Sequence, residues 1–194
     1  DAAAVELEQL TRRQSDPIER AVLRDRFWRD RMTRPRSEAG GTFASRFEAD
    51  LYYRGLCLAD LDNHALLSAM FERGEDVVFE TVYASGRPER AALLQHASID
   101  LRRRALAVLR SRPDYMRDPE GAGVYARLVD RVRLDEGRPQ IYGTQYSCAR
   151  GRALLAGRYD LAQIAENRAE LGLAALDSGD AAGVCASRFG AEVE

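Results

Sequence analysis

LVDRVRLDEGRPQIYGTQYSCARGRALLAG, residues 128–157, holds the pattern that sets the fold class. Val124, Leu128 and Val132 recur at helical spacing, which predicts a helix over residues 121–134. Gly137 should end it, because glycine accepts the left-handed conformation that closes a helix, and Arg133 complements the negative end of the dipole. After the loop come two short runs on either side of Arg150-Gly151, a dipeptide that reads as a hairpin turn. Between helix and hairpin lies GRPQIYGTQ, where a chain otherwise rich in Ala, Leu and Arg gathers Gly, Pro, Gln, Tyr and Thr. The expectation is a mainly α fold: a single helical domain with one small β-hairpin near residues 144–157.

Working outward, Asp16-Pro17 marks a helix start, since Asp can cap and Pro lacks only an N–H that the first turn does not use. Ile18, Ala21, Val22, Trp28 and Met32 follow at helical spacing, with Glu19, Arg20, Arg24, Asp30 and Arg31 on a solvated face. Residues 2–14 are also predicted helical, and TRPRSEAGG (33–41) reads as a loop. Residues 43–56 fit no single pattern, residues 59–72 read as a helix, and residues 76–88, strand-like in composition in their first part, read as a loop or short strand. A helix over residues 89–110, with a break near Ser98, carries Leu94, Leu101, Ala105, Val108 and Leu109 on one side and is closed by Pro113. Asp160 can cap a last firm helix, residues 161–171, with Leu161, Ile164, Ala165 and Leu171 inward; the tail from Ser178 reads as a short helix with a frayed end.

The 194 residues suffice for a domain of ordinary size with a real core. Hydrophobic residues make up 45% and charged ones 31%, the balance of a soluble globular protein. A formal net charge of -2 argues for neither nucleic acid nor an anionic membrane as partner. All 29 basic side chains are Arg, so every cationic contact is a planar fork. No apolar run approaches the roughly 20 residues that span a bilayer. A chain beginning at Asp1 fits a cleaved signal peptide or a trimmed N-terminus, so cytoplasmic and exported (periplasmic or secreted) locations both stay open. Three cysteines, Cys57, Cys148 and Cys185, make no disulfide framework and no metal knuckle. Either Cys148 and Cys185 are bonded or all three are inert thiols. No metal-ligand, Walker or dinucleotide pattern is present, so no metal and no cofactor is expected.

Four segments in order carry a resemblance: DNHALL (62–67), LLQHA (93–97), LVDRVRLDEGRPQIYGTQ (128–145) and ENRAELGL (166–173). Together they resemble a bacterial family of domains of unknown function (domain of unknown function 6624), over roughly residues 59–174. The resemblance divides the chain into an N-terminal helical segment, 1–58, packed on the core, and a family-like helical domain with a late hairpin, 59–194. It places Gln95, His96, Asp130, Arg131, Gln140, Tyr142, Thr144 and Gln145 at motif positions. It implies no settled reaction. Where the family often has a Gly-Trp-Pro turn, this chain has ERGEDVVFE (72–80), so substrate contacts from that turn are not expected here.

Among these residues His96 is the natural proton carrier, as imidazole titrates near neutrality; the alternative is a core-edge histidine bonded to backbone. Asp130 either orients His96 or anchors the loop, and Arg131 either holds an anionic ligand or joins a helix salt bridge. Gln95, Gln140, Tyr142, Thr144 and Gln145 either bind a polar ligand through neutral hydrogen bonds or satisfy buried backbone at the helix–hairpin junction. Cys148 and Ser147 as nucleophiles, His64 as a ligand and Arg102–Arg104 as an RNA patch are weaker readings. Two functions follow. The first is a polar pocket for a small ligand or peptide, with general acid–base catalysis through His96 and Asp130. The second is a non-catalytic interaction domain whose N-terminal helices meet a protein partner.

Overall fold

The structure, a computed structural model, describes residues 2–32, 46–84, 88–149 and 152–176. It is mainly helical with one small antiparallel hairpin, as the sequence predicted. The expected tail helix and the 33–41 loop lie outside the described residues. The chain divides into two compact units, Asp1–Ala97 and Ser98–Glu194, not one. The boundary between residues 58 and 59 falls inside a continuous helix.

The first unit contains α1 (Ala2–Thr11), α2 (Pro17–Met32), α3 (Arg46–Glu72) and α4 (Ala92–His96). The Asp16 carboxylate accepts from the Ile18 N–H at 2.8 Å, the cap that the sequence advertised. Helix α2 packs along α3, with Ile18, Ala21, Val22 and Trp28 buried as expected. Arg31 is not simply solvated: its guanidinium lies 3.4 Å from the Phe27 ring centre and bonds Glu6. Phe27 meets Trp28 edge to face at 4.9 Å. The close approach of α2 and α3 is set by Gly55: a Cβ there would lie 2.5 Å from the Trp28 indole.

Two expectations are corrected in this unit. Residues 43–56 have no independent structure from residue 46 on; they are the start of α3. Residues 76–84 are not a strand. Phe79–Tyr83 form a π-helical turn. The reason is spacing: Val77, Val78, Thr81 and Val82 are all buried, and that interval puts them on one side of a helix, whereas a strand would send alternate residues outward. Thr81 Oγ1 donates to the Val77 carbonyl at 2.6 Å, satisfying the buried hydroxyl.

The second unit contains α5 (Ile99–Ser111), α6 (Pro113–Arg117), α7 (Pro119–Asp135), strands β1 (Tyr146–Ala149) and β2 (Arg152–Leu155), and α8 (Leu161–Glu170). The break foreseen at Ser98 is real: Ser98 is the N-cap of α5 and accepts from the Leu101 N–H. Pro113 closes α5 by opening α6. Leu101, Ala105, Leu109, Val124, Leu128 and Val132 face the core. Helix α7 ends in a Schellman motif, with Gly137 at φ +70° and the Arg138 N–H on the Arg133 carbonyl at 2.7 Å. Tyr146 pairs with Leu155 and Ala149 with Arg152, and the expected turn at Arg150-Gly151 lies outside the described residues. Asp160 caps α8, but of the four residues assigned inward only Ile164 is buried; Leu161 and Ala165 are exposed.

Gly55→Ala is expected to lower stability by about 1–3 kcal/mol in urea unfolding, because overpacking against a rigid indole outweighs the roughly 1 kcal/mol that Ala gains over Gly in a helix. In a Trp28→Leu background the same substitution should cost markedly less, and an unchanged cost would refute the contact.

Candidate functional sites

The loop between α7 and β1 is organised around one carboxylate. Asp130 is fully buried on α7. Its Oδ1 accepts from the N–H groups of Ile141 and Tyr142 at 2.8 and 3.0 Å. Its Oδ2 accepts from the N–H and the hydroxyl of Thr144, both at 2.9 Å. Four donors replace the water that an ionised carboxylate loses on burial.

Gln140 is the second anchor, also buried. Its Nε2 donates to the carbonyls of Gln145 and Ala156, and its Oε1 accepts from the Gln145 N–H at 2.8 Å. Gln145 in turn donates to the Arg127 carbonyl at 3.3 Å. From α8, Asn167 donates to the Ile141 carbonyl and Arg168 to the Tyr142 carbonyl, each at 2.9 Å. Asn167 and Arg168 were quoted in a motif but given no role; a short polar pair facing a loop was the available signal. Gly143 sits at φ +64° with Ile164 packed on it, so a side chain there would be both strained and crowded. Tyr142 is half-buried against the edge of Tyr125, and burial, then Tyr125 and Asp130, push its phenol up to about 12. Arg131 is exposed and lies 3.5 Å from Asp135, four residues on.

The imidazole stands in the first unit. His96, at the end of α4, directs Nδ1 at the Asp25 carboxylate of α2, 2.9 Å from Oδ2 and 3.1 Å from Oδ1. Asp25 is 4% exposed. Its orienting carboxylate is therefore Asp25, and both oxygens of Asp130 are occupied by the loop. A carboxylate only accepts, so Nδ1 carries the proton and Nε2 is left for proton exchange; it has no partner among the described residues. Arg29 extends the network, bonding Asp25 through Nε at 3.0 Å and Asp60 of α3 at 2.6 Å. Burial raises the Asp60 pKa and the Asp25 charge adds to this, while Arg29 and His96 oppose it. Also on α3, Asn63 is buried with neither amide atom partnered among the described residues. Gln95 is half-buried beside His96.

Sequence reading missed Asp25, although a signal existed: an acid at the interval Ile18, Val22, Asp25, Trp28 lies on the apolar face of α2. Arg102, one of the three arginines weighed as an RNA patch, is buried against Asp135 at 2.5 Å. His64 is exposed, Ser147 Oγ donates to the Leu154 carbonyl, and the side chains of Cys148 and Cys185 lie outside what is described. No group of three His, Cys, Asp or Glu able to hold a metal occurs among the described residues, and no described helix is long and apolar enough to cross a membrane. The chain matches no family model, no curated protein and no solved structure.

Asp130→Ala strands three main-chain donors and should cost at least about 3 kcal/mol, at roughly 1–3 kcal/mol per unpaired group. Amide exchange at Ile141, Tyr142 and Thr144 should accelerate together; acceleration at one alone would contradict a shared anchor. Tyr142 keeps its proton in the folded state up to pH about 12, against 10.0 for the ordinary phenol. Its contribution to stability is thus complete below pH 10 and is lost as pH rises towards 12. Urea midpoints across that range should fall less steeply for Tyr142→Phe.

Proposed function

We propose that the first unit carries a general acid–base site for a small polar ligand, with His96 as the proton-transfer group and Asp25 as the residue that positions it. The single observation that carries this reading is the Asp25–His96 Nδ1 contact, which leaves Nε2 unpartnered on a side chain that is 30% exposed. A buried acid that sets the imidazole tautomer and stabilises the imidazolium is the orienting half of a catalytic pair. Arg29 and Asp60 supply a charged surround in which the Asp25–His96 pair has one favoured geometry. The unpartnered amide of Asn63 supports the same reading, since buried polar groups without partners are rarely left in a core for stability.

A second reading is favoured by a specific observation: Asp130, Gln140 and Gln145 bond the main chain of the loop, the hairpin end and α7 around them. In that reading the shared motifs hold the fold and the chain is a non-catalytic interaction domain. Membership of the family that those motifs resemble is likewise a proposal, resting on the order of the four segments.

The test is a screen of chromogenic phosphoester, carboxylic ester and glycoside substrates with the wild-type chain. His96→Gln should lower turnover by about 10²–10⁴-fold with a nearly unchanged melting temperature, and Asp25→Asn should lower it while altering the pH profile. Loss of about 1–3 kcal/mol of stability in His96→Gln, with no turnover in any variant, would leave the interaction-domain reading in its place.

A further inference from the structure

Two clefts in the second unit meet at one arginine. The first, of about 560 Å³, lies between the end of α7, the loop and α8; the second, of about 400 Å³, lies between α5 and α7. Arg133 and Ile141 line both. Five guanidiniums line the pair of clefts against two carboxylates, in a chain whose formal net charge is -2.

The excess is not absorbed internally. Glu136 is shared by Arg103 and Arg138, at 2.7 and 3.2 Å. Asp160 is turned to the N–H groups that open α8. The other three guanidiniums meet only neutral oxygens: Arg110 the Tyr125 hydroxyl, Arg133 the Pro139 carbonyl and Arg158 the Gly137 carbonyl. Among the described residues none of these three has a carboxylate partner. Each retains donors, in the fork geometry that matches a carboxylate.

We propose that this double cleft binds an extended acidic peptide, with carboxylates on the Arg110, Arg133 and Arg158 guanidiniums and an apolar side chain against the floor. The floor decides between peptide and nucleic acid. In the second cleft it is aliphatic, with Leu106, Val129 and Val132 nearly buried and Ile141 half-buried beside them, and in the first the exposed Tyr159 is a lone ring among the lining residues, with no second one to continue a stack. Single-stranded nucleic acid calls for flat aromatic platforms on which bases stack. Here the nearest ring in the second cleft, Tyr125, already lies under Arg110 and against Tyr142. The site belongs to the second unit and does not depend on the acid–base reading.

A short fluorescent peptide alternating Glu and Leu, titrated into the full chain and followed by anisotropy, should bind saturably and more weakly as salt rises. Arg110→Gln with Arg158→Gln should weaken it by about tenfold or more, the equivalent of about 1.4 kcal/mol, at an unchanged melting temperature. Should the double variant melt early, Arg110→Gln alone carries the test, because it breaks no main-chain bond. Equal affinity in the variants, equal binding of a Lys–Leu peptide, or failure to bind would overturn the proposal. So would tighter binding of a single-stranded oligonucleotide, or full displacement of the peptide by millimolar inorganic phosphate.

Discussion

A charge sealed in an apolar interior must be matched by donors, and Asp130 converts that requirement into a conformation. Its two oxygens can be satisfied only if residues 141–144 wrap around them with their N–H groups turned inward. Once wrapped, the loop shows its carbonyls outward, and Asn167 and Arg168 of α8 bind them. Gln140 does the equivalent work towards the hairpin, reaching the carbonyls of Gln145 and Ala156. Helix, loop, hairpin and last helix of the second unit are thereby joined by hydrogen bonds to main chain. Removing one member leaves its partners buried and unpaired, so the network behaves as a unit.

This explains why the polar residues of the quoted stretch keep company with ENRAELGL. Asp130, Gln140, Thr144, Gln145, Asn167 and Arg168 are successive links of one structure. A loop held so firmly makes a rigid wall. Ile141, whose N–H and carbonyl are both engaged, stands between the two clefts. The arginines around it follow from the same design: the end of α7 exposes carbonyls, and Arg133 and Arg158 bond the oxygens of Pro139 and Gly137 just beyond it.

The first unit uses polar groups differently. There the core is helix on helix, tight enough to require Gly55 under Trp28, and the buried charges lie between helices. Asp25, Arg29, Asp60 and His96 link α2, α3 and α4 through side chains alone. A side-chain network leaves valences open where a main-chain network closes them. The unpartnered Nε2 of His96 and the amide of Asn63 are such open valences. That contrast is the physical ground for proposing chemistry in the first unit and anion recognition in the second.

What the sequence by itself determined is local. The Gly137 stop, the Ser98 break and the Asp16 and Asp160 caps each depend on a few neighbouring residues, and each is present where the residues placed it. Tertiary structure decided what depends on distant partners. Valines 77, 78 and 82 can serve a strand or a helical turn equally, and only the core they enter chose the turn. Residues 46–58, which fit no single pattern alone, are the start of α3, with Gly55 set against Trp28 of α2. The carboxylate on His96 comes from residue 25, 71 positions away, and no pattern of spacing carries that pairing. Caps and turns are written in a handful of dihedral preferences, whereas the partner of a buried charge is settled only when the helices close around it.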